Sequence, residues 1–253
     1  MPHHEMSHHE RYILADWPAP AHIKAFVTTR RAGLSKGVFS SFNMGLYSGD
    51  DPSVVQQNRQ LLVSDWQLPG APHWLKQVHG VDVVQAQLNG QEQEVDASFS
   101  TTPGVACVAL AADCLPVLFT DKAGTVVAAA HAGWKGLASG VLEETVLAMK
   151  TPASDIMAWL GPAIGPDHFE VGPEVRERFV SLMAEASTAF KPGEGDRWYA
   201  DIYELARLRL QKLGICDIYG GGFCTVSQSD LFFSYRRDGK ASGRMAAGVW
   251  ITV

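Results

Sequence analysis

Between residues 105 and 130, three apolar segments of strand length (105–110, 116–120 and 125–130) follow one another with only short interruptions. This dense block of short strands is not a regular alternation of strand and helix. With helical segments elsewhere, it sets the class as α+β. Further strand-like runs lie at 23–28, 81–86, 156–160 and 249–253. A helix is expected to open at Asp51-Pro52, an N-cap followed by proline at the first helical position, with Val55, Leu62 and Trp66 on one face. A second helix carries Leu142, Val146 and Met149. A third opens at Gly172-Pro173 with Val175, Phe179 and Leu182 inward. In a fourth, Asp201 and Glu204 resemble a capping box, Leu205 and Leu208 follow, and Gly214 is the C-cap. No linker or repeat is visible. The reading is one domain over residues 11–253, behind a His-rich tail at 1–10 that is expected to be disordered and to hold metal only loosely.

Composition narrows the function. Apolar residues are 46% and charged residues 19% of the 253. A disordered chain would need fewer of the first and more of the second. The formal charge of -6 comes without a basic stripe, so nucleic acid is not an expected partner. The densest basic cluster, Arg236-Arg237 with Lys240 and Arg244, reads as a solvated Gly-rich loop rather than a phosphate site. No run approaches the length of a membrane span, and the start MPHHEMSHHERY lacks the features of a signal peptide. The expected location is the cytoplasm. Cys107, Cys114, Cys216 and Cys224 are then thiols or ligands, not disulfides.

The chemistry centres on Ala112-Asp113-Cys114-Leu115-Pro116. An Asp-Cys pair inside an apolar run needs a partner, because burying an unpaired carboxylate is expensive. A metal or a hydrogen-bond network would supply it. His79 ends Leu75-Lys76-Gln77-Val78-His79-Gly80, and His131 opens His131-Ala132-Gly133-Trp134-Lys135-Gly136. Two imidazoles and one thiolate make a three-ligand set, which leaves the fourth position open as catalytic zinc requires. Cys107, Cys216 and Cys224 read as small buried hydrophobes. His22, His73 and His168 read as structural. There is no nucleophile elbow, P-loop or dinucleotide fingerprint.

These same segments resemble the three signatures of the YfiH/laccase-domain family. Lesser matches follow in order: Thr28-Thr29-Arg30, Ser41-Phe42-Asn43-Met44-Gly45, Asn58-Arg59, Asp96-Ala97, Gly161-Pro162, Phe169-Glu170-Val171 and Ser234-Tyr235-Arg236-Arg237. The resemblance runs from about Thr28 to the C-terminus. Ala32 departs from the pattern where Gly is common, and Asp167-His168 where many relatives have a Cys pair. The second departure argues against a mechanism needing thiols there.

The resemblance implies a layered sandwich of mixed sheets flanked by helices. It implies zinc held by His79, Cys114 and His131, with copper a possible substitute. It implies phosphorolysis of adenosine, inosine, guanosine and methylthioadenosine to base plus ribose 1-phosphate, and hydrolytic deamination of adenosine. Purine nucleosides and phosphate are then the expected partners. Asp113 is read either as a proton shuttle or as the group orienting a ligating His. Arg59, Lys135, Asn43 and Gln77 have chemistry suited to phosphate or ribose, and each also has a structural reading. Three rivals stay open: a copper polyphenol oxidase, a cysteine hydrolase or peptidoglycan-precursor editing enzyme with Cys114 as nucleophile, and a zinc-stabilised binding module.

Overall fold

The computed structural model describes residues 10–253. The tail expected to be disordered lies outside the described residues, Glu10 excepted. Among the described residues, thirteen strands form three sheets. The first is antiparallel, in the order β1 (Tyr12–Leu14), β2 (Ile23–Thr28), β13 (Met245–Ile251), β5 (Cys107–Ala111). The second has six strands, in the order β12 (Asp217–Gly220), β8 (Ile156–Leu160), β6 (Leu115–Asp121), β7 (Val127–Ala132), β4 (Ala97–Ser100), β3 (Val83–Gln85). It is mixed: its outer pairs, β12 with β8 and β3 with β4, are parallel, and its central pairs antiparallel. A small sheet joins β10 (Phe190–Pro192), β11 (Trp198–Ala200) and β9 (Glu170–Val171).

The period-two alternation of the strands builds the layers. On β6, Leu118 faces the first sheet while Leu115, Val117 and Phe119 face the helices. On β13, Met245, Ala247 and Val249 face between the sheets while Ala246 and Trp250 face outward. Helix α1 (Pro52–Asp65) covers the outer face of the first sheet through Leu62. The outer face of the second is covered by α2 (Trp134–Ser139), α3 (Val141–Met149), α4 (Pro173–Leu182) and α5 (Ile202–Lys212). The result is a layered sandwich of two sheets between helices. Pro116 is tolerated in a central strand because pairing with β8 begins only at Val117.

The N-caps read from sequence hold, whereas the fourth helix has Leu213 as its C-cap and Gly214, with φ of +92°, is the residue after it. Asp51 accepts from the Ser53 N–H and Asp201 from the Glu204 N–H, with Pro52 and Ile202 as first helical residues. Other readings change. The last strand begins at Met245 instead of 249. It runs through Gly248, where the Phe26 ring leaves no room for a Cβ, and an interior glycine weakens the sequence signal. Leu182 ends α4 at 41% exposure instead of facing inward. Cys216 is exposed and Cys224 half-buried, while Cys107 is buried.

The two sheets exchange the chain in three residues, Ala112-Asp113-Cys114, between the end of β5 and the start of β6. Asp113 makes the turn with φ of +92°, a conformation costly for a residue with a Cβ. Phe179→Ala, at a buried position, should destabilise the protein by about 3–5 kcal/mol, and Leu182→Ala by no more than about 0.5 kcal/mol. Urea unfolding of both variants checks this, and equal losses would refute the inward–outward assignment.

Candidate active site and metal centre

His131 is the fifth of the six residues of β7, buried near the C-terminal end of a central strand of the second sheet. Cys114 ends the inter-sheet link. His79 is in the loop before β3, with φ of +61°. The donor atoms of these three side chains lie within 4.8 Å of one another, close enough to share one metal ion. Cys114 Sγ stands 3.8 Å from His79 Nε2, and the imidazole rings meet edge-on with centroids 4.8 Å apart.

The donor set can be tested against zinc. Bond lengths of about 2.0–2.1 Å to nitrogen and about 2.3 Å to sulfur put tetrahedral N and S donors about 3.6 Å apart. The observed 3.8 Å fits. Gly133 keeps the space clear, since a Cβ there would stand 2.8 Å from the His79 ring and 3.0 Å from the Cys114 sulfur. Electrostatics agree with a cation. Burial pushes the Cys114 thiol up, but His131 and His79 outweigh it and bring it down to about 6.

A buried carboxylate holds the arrangement. Asp96, at 0% exposure, accepts the backbone N–H groups of Val78, His79 and Gly80. Its Oδ1 also lies 2.8 Å from His131 Nδ1. With Nδ1–H donated to Asp96, Nε2 of His131 is left to face Cys114 and His79. Burial alone would raise the Asp96 carboxyl. The His131 bond and the N–H groups of Gly80 and Val78 outweigh it and hold the carboxyl below its ordinary range. In the sequence Asp96 stands out only as part of the matched segment Asp96-Ala97. The bonds that give it this role run to residues 78–80 and 131, which no local sequence signal discloses.

Asp113 itself does not orient a histidine. Its carboxylate accepts from Thr225 Oγ1 and from the Arg236 N–H, each at 2.6 Å, and so fastens two distant segments to the inter-sheet link. The orienting task belongs to Asp96.

The donors open onto a cavity of about 560 Å³, a size suited to a small ligand. Its walls are mainly apolar, with Leu75, Trp134, Ile164 and Phe169 among them, and Arg236 and Arg244 are its arginines. Gln77 lines it, but its amide is spent in a two-point bond to the backbone of Leu110, 2.7 Å each way. Asn43 is fully buried behind the wall. It donates to Ser48 and Asp50 and accepts from Gly45 and Arg244 N–H groups, which shapes the 45–48 loop. Arg59 also lies outside the lining. It pairs with Glu92 at 2.9 Å, donates to the Met44 carbonyl and stacks over Trp74 at 3.9 Å. Lys135 is exposed on the first turn of α2, its Nζ 5.8 Å from the Trp134 ring centroid.

Arg244, expected in a solvated cluster, is instead half-buried. It donates to the Ser242 and Gly243 carbonyls and passes Gly45, where a Cβ would come within 2.7 Å of its Cγ. Arg237, from the same cluster, is tied to Asp238 and to the carbonyls of Thr225, Val226 and Phe232.

Asp96→Ala should cost about 3–5 kcal/mol, because it strands three N–H groups and a buried imidazole. Chemical denaturation measures it. A loss under about 1 kcal/mol would show that Asp96 does not organise this region.

The family model described as multi-copper polyphenol oxidoreductase laccase matches residues 24–252. A purine nucleoside phosphorylase from Pseudomonas aeruginosa is 52% identical over 95% of this chain and 98% of its own length. Purine nucleoside phosphorylase YfiH from Escherichia coli is 50% identical over 95% and 99%. A crystal structure of a Neisseria meningitidis protein aligns with TM-score 0.92 at 49% identity, covering 96% of this chain and 100% of that one. YlmD from Geobacillus stearothermophilus aligns at 0.87 and 32%, covering 93% and 94%. With the family model spanning nearly the whole sequence and relatives at about half identity, the chain belongs to the YfiH/laccase-domain family.

Proposed function

We propose that the protein is a zinc-dependent purine nucleoside enzyme. In this reading it splits adenosine, inosine, guanosine and methylthioadenosine with phosphate, and it hydrolytically deaminates adenosine. One observation carries the reading. A His–Cys–His donor set with room for a fourth ligand opens onto a largely apolar cavity, in a chain about half identical to proteins named purine nucleoside phosphorylase.

His79, Cys114 and His131 would hold the zinc, which supplies Lewis-acid activation of water or of a substrate group when bound. The remaining tasks fall to the chain. The apolar wall of Leu75, Ile164 and Phe169 packs the base and excludes water from it. In phosphorolysis, a phosphate oxygen attacks C1′ of the ribose while the bond to the purine nitrogen breaks, so the attacking anion must be held against the sugar. We assign that anion to Arg244, with Arg236 beside it, rather than to Arg59 or Lys135. Arg59 already neutralises Glu92, and Lys135 is exposed outside the cavity lining. Gln77 and Asn43 act as positioning residues in this scheme, because their polar atoms are committed to the backbone and the 45–48 loop.

The laccase description of the family keeps copper oxidation in view, and a His2Cys set does suit copper. A multicopper oxidase, however, needs more imidazoles in one place than nine His with four in the first nine residues can furnish. Phenol oxidation is therefore expected as a side activity of a copper-substituted site. A copper-loaded protein with several coppers per chain and fast oxygen uptake would overturn that.

Metal analysis by mass spectrometry should find one zinc per chain in protein lacking residues 1–10, and little in Cys114→Ala. Undiminished zinc in the Cys114 variant would sink the ligand assignment. Asp96→Asn should weaken zinc affinity about 10–100-fold.

In phosphate-free buffer, adenosine should yield inosine and stop there. Added phosphate should then release hypoxanthine and ribose 1-phosphate. Arg244→Gln should raise the phosphate requirement about ten- to a hundredfold while slowing deamination far less, with Lys135→Gln as the inert comparison. Hypoxanthine formed equally fast without phosphate would make the protein a nucleoside hydrolase instead.

A further inference from the structure

A second cavity, of about 520 Å³, lies on the other side of the wall formed by residues 163–169 and 224–225. Its chemistry is unlike that of the first. Cys224 lines it, with Sγ 3.5 Å from His168 Nδ1 and accepting the Gly165 N–H at 3.3 Å. The Cys224 backbone N–H is held by Gln228 Oε1 at 2.8 Å, which steadies the segment that carries the thiol. Gly165 has no Cβ for a reason: one would sit 3.0 Å from the sulfur. The carboxylates of Asp167, Asp201 and Glu204 and the guanidinium of Arg207 ring the cavity. Burial pushes the Cys224 thiol up, but the Ser227 hydroxyl and the N–H groups of Ser227, Gly165 and Val226 outweigh it and hold it below the ordinary thiol range. A half-buried thiol beside an imidazole and backbone donors, facing an open cavity with charges of both signs, is the setting of a reactive sulfur and not of a packing residue.

We propose that Cys224 and His168 form a thiol-modification site that takes small zwitterionic disulfides, and that its adduct impairs the neighbouring nucleoside pocket. In the exchange, Cys224 sulfur attacks one sulfur of the disulfide. The Cys224–S bond forms as the S–S bond breaks. Cys224 is oxidised, the departing thiolate is reduced, and the Cys224 proton passes by way of His168 to the leaving group. No other oxidant is needed.

Coupling to the pocket follows from the shared wall, and this part rests on the function proposed above. Gly165 adjoins Ile164, and His168 adjoins Phe169, both of which line the first cavity. The His168 carbonyl accepts from Arg236 at 3.1 Å, and Thr225 is bonded to Asp113. An adduct that displaces Gly165 must move this strip.

The test uses the zinc-loaded protein, oxidised glutathione and peptide mapping by mass spectrometry. Cys224 should form the adduct about tenfold faster than the exposed Cys216, although it is the less accessible of the two. His168→Asn should slow Cys224 severalfold and leave Cys216 unchanged. Phosphorolysis should fall as the Cys224 adduct accumulates and return with dithiothreitol, and Cys224→Ser should be insensitive. Labelling no faster than Cys216, or indifferent to His168→Asn, would overturn the site. Full labelling with unchanged activity would overturn the coupling. Protein that labels as expected but turns over no nucleoside would refute the proposed function and leave the thiol assignment standing.

Discussion

The buried carboxylate of Asp96 is the interaction on which the site depends. It is a full negative charge with no exposed surface, and such a group persists only when its oxygens are satisfied. Three consecutive backbone N–H groups from the 78–80 loop and one imidazole satisfy them. The loop carrying His79 is thus pinned to the strand carrying His131 by an anion that belongs to neither. Two donors far apart in the chain acquire a fixed separation, and the left-handed backbone at His79 is held by bonds made to the N–H groups around it.

The third donor owes its place to topology. Cys114 ends the three-residue passage from one sheet to the other, which is where the sandwich has a mouth. Asp113, next to it, turns the chain and at the same time ties Thr225 and the Arg236 backbone to the same point. One strained residue therefore gathers the segment at Thr225 and the segment that carries the cavity's arginines. The apolar run that Asp113 interrupts in sequence is two different strands of two different sheets.

This explains what could be read beforehand. The α+β class followed from a block of strands too dense for alternation. The caps at Asp51 and Asp201 followed from local chemistry that acts within a few residues. The donors drew notice because an Asp-Cys pair is out of place in an apolar run. Asp96 and Arg244 escaped because what makes them important is distant in sequence. Asp96 answers to 78–80 and 131, and Arg244 is seated through Asn43, two hundred and one residues away. Arg59 and Lys135 were attractive as cations, but nothing in the chain near them discloses that one meets Glu92 and the other lies outside the lining. Cys224 read as packing because its histidine and glycine partners lie some sixty positions earlier, with separations of 56 and 59.

The cavity has two banks. Arg244 directly precedes β13, in the four-stranded sheet, whereas His131 stands on β7, in the six-stranded one. The two sheets are held together by side-chain packing and by the short passage at 112–114. Any molecule that touches both the guanidinium and the donor set is therefore a crosslink between the layers, and the span between those groups is a gauge of how far one sheet has slid over the other. The geometry of the cavity and the mechanical stiffness of the sandwich are in this sense one property, which a change in the inter-sheet core can alter without touching a residue of the cavity.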